Sequence, residues 1–270
     1  MQLFRMKKVY RQESNPNYWD RRWEETGSDK SQFANTNIYP IKYAELVMDD
    51  KSTATLEIGC GGGRVLKHYY YQGFNITGVE RSEIAVTNAK LSDHELPVKI
   101  GDAINLTFPD NSYDTVMAFG VYHNIEDISD IKTALSECSR VLKDQGKFCI
   151  SIRPNNWEMN LNEWYWNRLG NKVSSCNRKK TEFHRIMFSE TEFKEILAEQ
   201  SLNTTKVYRA RNVSILYRLK ALAISNSSES SNRSQGYKLN LIGKILDKLL
   251  VTLFPNQFCN VLVFIGTKTA

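Results

Sequence analysis

One run constrains this chain more than any other: Leu56-Glu57-Ile58-Gly59-Cys60-Gly61-Gly62-Gly63-Arg64. An apolar stretch stops in glycines, and a helical pattern begins at once behind them. Glycine tolerates positive φ and lets a ligand approach the backbone closely. The turn after a strand of a parallel sheet is also where nucleotide cofactors sit. The spacing is Gly59-x-Gly61-x-Gly63 with Arg64 next. A dinucleotide fold needs G-x-G-x-x-G, so a nicotinamide dehydrogenase is disfavoured. No G-K-[ST] follows, which excludes a phosphate-binding P-loop.

The same texture continues downstream. Ala54 to Gly59, Phe74 to Glu80, Val98 to Gly101, Ser112 to Gly120 and Lys147 to Ile152 are five short apolar runs. Helical patterns separate them over Gly63 to Tyr71, Ser82 to Leu91 and Ile128 to Lys143. The last places Ile131, Leu135, Cys138 and Leu142 at helical spacing, with Gly146 as its stop. Strands that alternate with helices predict a parallel sheet covered on both faces.

Either end reads differently. Residues 1–50 are polar and aromatic, with Tyr18, Trp19, Trp23, Arg21 and Arg22 at helix-like spacing. They predict an N-terminal helical cap outside the sheet, ahead of a main domain over 51–270. Ser189 with Glu192 reads as a capping box, and Phe188 with Phe193 as its hydrophobic staple. Residues 202–212 and 260–268 read as two late strands. Ser225 to Ser234 is low-complexity and polar, the composition of a mobile loop. Leu241 to Phe254 then gathers its leucines and isoleucines on one face, opposite Lys244, Asp247 and Lys248. A helix packed on the core or serving as a lid is the favoured reading. A membrane-surface helix is the alternative.

Composition narrows the class. Lys plus Arg is 36 against 30 for Asp plus Glu, a net charge of +6 over 270 residues. That mild excess permits an anionic partner without requiring one. No apolar run reaches the roughly 20 residues that span a bilayer. The start of the chain has no apolar core of signal-peptide length, so a cytoplasmic protein is expected. The cysteines (Cys60, Cys138, Cys149, Cys176, Cys259) are scattered without a C-x-x-C pair, so reduced thiols are expected and no metal site.

Two acids stand in register with the glycine loop. Glu80 ends the second run, seventeen residues after Gly63, where a carboxylate can accept both hydroxyls of a ribose. Gly101-Asp102-Ala103 follows the third run, where Asp102 can accept from an exocyclic amine. LEIGCGGGR, GVERS, GDAINLTFPDNSYDTVMAFGVYHNIED and ALSECSRVLKDQGKFCISI, in this order, resemble the class I S-adenosylmethionine-dependent methyltransferases. The type-11 small-molecule domain is the nearest flavour, and the likeness covers about residues 54–153.

The resemblance implies a Rossmann-like α/β fold: seven mostly parallel strands, helices on both faces and a reversed last strand. It implies S-adenosylmethionine as cofactor. Glu57 and the backbone of Gly59, Cys60, Gly61 and Gly63 would line its methionine part. Glu80 would bind the ribose, with Arg81 beside it. Asp102 and Ala103 would face the adenine, and Phe119 to Tyr122, Gly120 included, would pass beneath the sulfonium. The aromatic N-terminal segment resembles the helix that closes over the cofactor in many members.

The implied reaction is methyl transfer to an oxygen or nitrogen of a small-molecule acceptor. His123 is the candidate base, since its ordinary pKa suits proton transfer near neutral pH. Tyr122 and His184 are candidates for the pocket wall, while His68 and His94 read as surface residues. The acceptor would be read by the N-terminal helix and by segments near 155–187 and 213–259, which hold Trp157, Trp164, Tyr165, Trp166 and Phe183. An RNA methyltransferase, tRNA-directed for instance, is the enzyme alternative, resting on Arg178-Lys179-Lys180. A non-catalytic cofactor-binding scaffold is the other. The oligomeric state and the acceptor stay open, as does peripheral membrane contact through 241–254.

Overall fold

The structure is a computed structural model describing residues 5–11, 13–26, 35–173, 182–224 and 238–269, with backbone alone for 169–173. The strands are β1 (Lys7–Arg11), β2 (Thr55–Ile58), β3 (Ile76–Glu80), β4 (Val98–Ile100), β5 (Tyr113–Phe119), β6 (Leu142–Ile152), β7 (Glu182–Met187), β8 (Leu202–Ala210) and β9 (Val261–Lys268). The helices are α1 (Asn15–Thr26), α2 (Tyr39–Ala44), α3 (Arg64–Tyr70), α4 (Glu83–Ser92), α5 (Ile128–Val141), α6 (Trp157–Val173), α7 (Glu190–Ala198) and α8 (Leu241–Leu253). The expected low-complexity loop, Cys176 and the Arg178–Lys180 run lie outside the described residues.

The five apolar runs form the expected parallel strands. A seven-stranded sheet has the order β4-β3-β2-β5-β6-β9-β8, and β9 runs antiparallel to both neighbours. Every residue of β2 is buried, as a central strand covered on both faces requires. The chain leaves β2 for β3 and β4 on one side, then returns to β5 and β6 on the other. That reversal opens a crevice at the carboxyl ends of β2 and β5. On α5, Ile131, Leu135 and Cys138 are fully buried, so its apolar stripe faces the sheet as the periodicity predicts. Both halves of the Ser189–Glu192 capping box are made, and the Phe188 and Phe193 rings pack 5.2 Å apart.

Three expectations need correction. The N-terminal segment is not helical throughout: β1 pairs antiparallel with β7 in a separate two-stranded sheet. Only Val9 of β1 is buried, so its side chains carry little strand signal and its backbone pairing decides the structure. Helix α5 ends at Val141, and β6 begins directly at Leu142 instead of after Gly146. Leu142 is fully buried and extended opposite Tyr113, so the core takes it as strand. Finally, α8 does not pack its apolar face on the core. It buries Gly243, where a Cβ would stand 3.0 Å from the Leu222 carbonyl oxygen. Its leucines and isoleucines point away from the protein.

Candidate active site

The crevice holds a cavity of about 660 Å³, within the range that takes a cofactor-sized ligand. Its floor is the glycine loop. Gly59 and Gly61 have φ of +68° and +54°, which side-chain-bearing residues rarely adopt. A Cβ on Gly59 would stand 2.4 Å from Val121, and one on Gly61 would stand 2.7 Å from the Trp23 ring. Sequence and sterics therefore agree on why the loop is glycine.

Glu80 pins that loop. Its Oε2 accepts from the Gly61 backbone N–H at 2.8 Å, and its Oε1 accepts from that of Ser82 at 3.0 Å. Ser82 also caps α4 and donates to Asp20 of α1 at 2.8 Å. Across the cavity, Asp102 accepts from the Ile104 N–H and stands 3.9 Å from Arg81. Glu57, Gly59, Cys60, Gly61, Glu80, Arg81, Asp102, Ala103, Phe119 and Gly120 all line the cavity. Gly63 does not; at φ +78° it caps α3 instead.

Glu57 is the anomaly of the site. It is buried and its Oε2 has no hydrogen-bond partner. Burial pushes its pKa up to about 8, and the Glu80 carboxylate adds to the effect. A proton on Glu57 therefore favours the folded chain. Between its ordinary value of 4.5 and about 8, stability should fall as pH rises. The slope from this group is at most about 1.4 kcal/mol per pH unit. Glu57→Gln should remove that contribution: the gap between its melting temperature and the wild type's widens from pH 5 to pH 8, and a constant gap would refute the assignment.

Helix α1 roofs the cavity. Asn15, Pro16, Trp19, Asp20 and Trp23 line it, and the Trp19 and Trp23 rings stack 5.9 Å apart. The Trp23 carbonyl accepts from Asn88 at 2.8 Å, which ties α1 to α4. Tyr18 turns the other way, onto His184. Trp19 and Trp23 stand over the cavity where the aromatic N-terminal segment was expected, whereas sequence reasoning missed Asn15, Pro16, Asp20, Arg64, Ser82 and Asn124. Helix periodicity in residues 15–26 was the available signal.

The remaining candidates do not reach the cavity. Tyr122 is fully buried in the core beneath β5. His123 and His184 are also buried. Desolvation, then Arg153 and Arg185, push His123 well below its ordinary pKa. Desolvation, then Arg185, push His184 down to about 2. Both rings stay neutral, so neither is suited to accept a proton and keep the charge. Trp157 and Trp164 are exposed on α6, away from the expected roof.

Residues 56–150 match the family model for a methyltransferase domain. Demethylmenaquinone methyltransferase of Thermotoga maritima is 32% identical over 114 residues, 40% of this chain and 47% of that protein. The chain spans about half the length of the curated relatives that share this match. Two solved structures share the fold over nearly the whole chain. One is the putative methyltransferase of Haloferax volcanii in complex with the Trm112 activator, with TM-score 0.57, 16% identity, and coverage of 94% and 95%. The other is a possible histamine N-methyltransferase from Thermotoga maritima, with TM-score 0.54, 17% identity, and coverage of 94% and 96%. The ordered motifs, the reversed β9, the cavity at the β2–β5 crevice and the matched domain agree: residues 56–150 are similar to a methyltransferase domain, and the chain has the fold of the class I S-adenosylmethionine-dependent methyltransferases.

Proposed function

We propose that this protein transfers a methyl group to an oxygen or nitrogen of a small-molecule acceptor. The observation that carries the reading is the buried Glu57 carboxylate, whose Oε2 has no partner, in a cavity that Glu80 and Asp102 also line. The donor set suits S-adenosylmethionine, which has one cationic end, a ribose and an adenine. Glu57 would meet the cationic end, Glu80 the ribose hydroxyls, and Asp102 with Ala103 the adenine. When bound, that cofactor supplies a methyl group on a cationic sulfur. The chain's own share is to hold the acceptor in line and exclude water. Such positioning supplies about 7–11 kcal/mol of a barrier in favourable cases. With His123 buried and neutral, this reading uses no histidine base.

Roofing by α1 supports a small acceptor over RNA, because a polynucleotide needs an open, basic approach. Calorimetry with S-adenosylhomocysteine, S-adenosylmethionine and NAD tests the cofactor. Binding of both adenosyl ligands and not of NAD is expected, and NAD binding alone would overturn the reading. Steeply salt-dependent binding of tRNA would favour the RNA alternative instead.

We also infer that α8 rests on an anionic lipid surface. Leu241, Ile242, Ile245, Leu249 and Leu253 form an outward apolar face. Asp247 faces inward, where Arg211 holds it at 3.0 Å and Ser214 donates to it. This reverses the usual polarity of a surface helix. Lys244 and Lys248 flank the apolar face, and Lys220 and Lys238 lie on the segments packed beside it. None of these four lysines has a carboxylate partner among the described residues. An apolar stripe edged by free lysines is complementary to acyl chains beneath anionic headgroups. No helix among the described residues is long and apolar enough to cross a membrane, so this contact is peripheral.

A further inference from the structure

Behind α1 lies a second cavity of about 180 Å³, lined by Arg11, Arg153, Arg185, Tyr18, Asn162 and Asn260 among others. Its charge is unbalanced. Arg11 is held by Glu163 at 3.1 Å. Glu158 also lines the cavity, but Arg211 holds it at 2.6 Å. That leaves Arg153 and Arg185 with no carboxylate partner among the described residues. Among the described residues the Arg153 side chain donates only to the Asn260 carbonyl, at 2.8 Å. Arg185 stands 2.6 Å from His184 Nε2, and its own Nε is buried without a partner.

Burying a guanidinium without a paired carboxylate is costly, and the nearby Glu163, which Arg11 already holds, offsets only part of that cost for Arg185. Its neighbours register the resulting field. Desolvation and the other two arginines push Arg185 down to about 9, and both nearby histidines are held neutral. A guanidinium presents a planar fork of donors that matches carboxylate and phosphate oxygens.

The cavity adjoins the cofactor site. Asn15, which lines the large cavity, donates to the His184 carbonyl at 2.6 Å and to the Asn124 side chain at 3.2 Å. Tyr18, one turn later, lines the small cavity and packs on His184. One wall of α1, Asn124 and His184 thus separates the two spaces. We propose that the small cavity binds a carboxylate or phosphate anion. The site stands on the arginines alone and does not depend on the methyltransferase reading.

Melting curves of the full chain in inorganic phosphate, acetate or chloride at matched ionic strength test it. Phosphate or acetate should raise the wild-type midpoint saturably by a few degrees, and chloride should not. The more effective anion identifies the source. Arg185→Met should abolish that rise, melt above wild type in chloride, and bind S-adenosylhomocysteine with wild-type affinity. Arg153→Gln should blunt the rise, and Arg185→Lys should keep part of it. An equal rise in wild type, R185M and R153Q overturns the proposal, as does the absence of any saturable rise in wild type. If wild type responds to the anion but binds no adenosyl ligand, the methyltransferase reading fails and the anion site stands.

Discussion

Replacing Glu80 with Ala should raise the dissociation constant for S-adenosylhomocysteine by about 100-fold or more, with the protein still folded. Two losses combine. In the proposed binding mode the variant removes the acceptor for two ribose hydroxyls, and a hydrogen bond to a charged group is worth about 1.5–3 kcal/mol. About 1.4 kcal/mol is already tenfold in affinity. It also frees the Gly61 and Ser82 N–H groups that Glu80 now holds. The loop that meets the ligand then loses its fixed shape before the ligand arrives. Stability should change little by comparison, because Glu80 is only partly buried and both freed donors can take water. Calorimetry beside a thermal melt separates the two effects. Unchanged affinity would remove the ribose assignment. A collapsed melt would show that Glu80 holds the fold and not the ligand.

Glu80 illustrates what a sequence can carry. Its place at the end of β3 follows from the short apolar run Phe74 to Glu80 and from its distance to the glycine loop. Both are local facts, so the crevice was legible. The same holds for α5, whose every third or fourth residue is apolar, and for the Ser189–Glu192 cap. What escaped was long-range. Lys7–Arg11 and Glu182–Met187 pair through backbone groups, and the polar side chains of β1 give no sign of it. The arginine cluster has the same origin. Arg11 lies on β1, Arg185 on β7 and Arg153 just past the end of β6, and only the fold brings them to one cavity. His123 fell to this effect too: as a residue after β5 it suits a base, but burial first, and then Arg153 just past β6 and Arg185 on β7, hold it neutral.

Helix α8 marks a different limit, since periodicity tells which residues share a face and not where that face points. The structure points it outward, and Ile245→Glu with Leu249→Glu tests the consequence. Both side chains are about half exposed, at 53% and 49%, so the pair should leave the melting temperature near wild type. On vesicles the effect should be large. Burying a leucine or isoleucine side chain is worth about 1.5–3 kcal/mol, and the variant replaces two such anchors with carboxylates. Partitioning onto phosphatidylcholine vesicles containing phosphatidylglycerol should therefore fall at least about 100-fold. Lys244→Glu with Lys248→Glu should act differently. Each lysine near an anionic surface contributes about 1 kcal/mol, and that contribution fades with salt. The lysine pair should thus weaken binding at low salt and matter less at high salt, while the apolar pair abolishes it at both. Equal sedimentation of wild type and I245E/L249E with these vesicles would rule out the lipid contact. A wild-type dimer that the same variant dissolves, with no vesicle binding by either protein, would assign the face to a second copy of the chain.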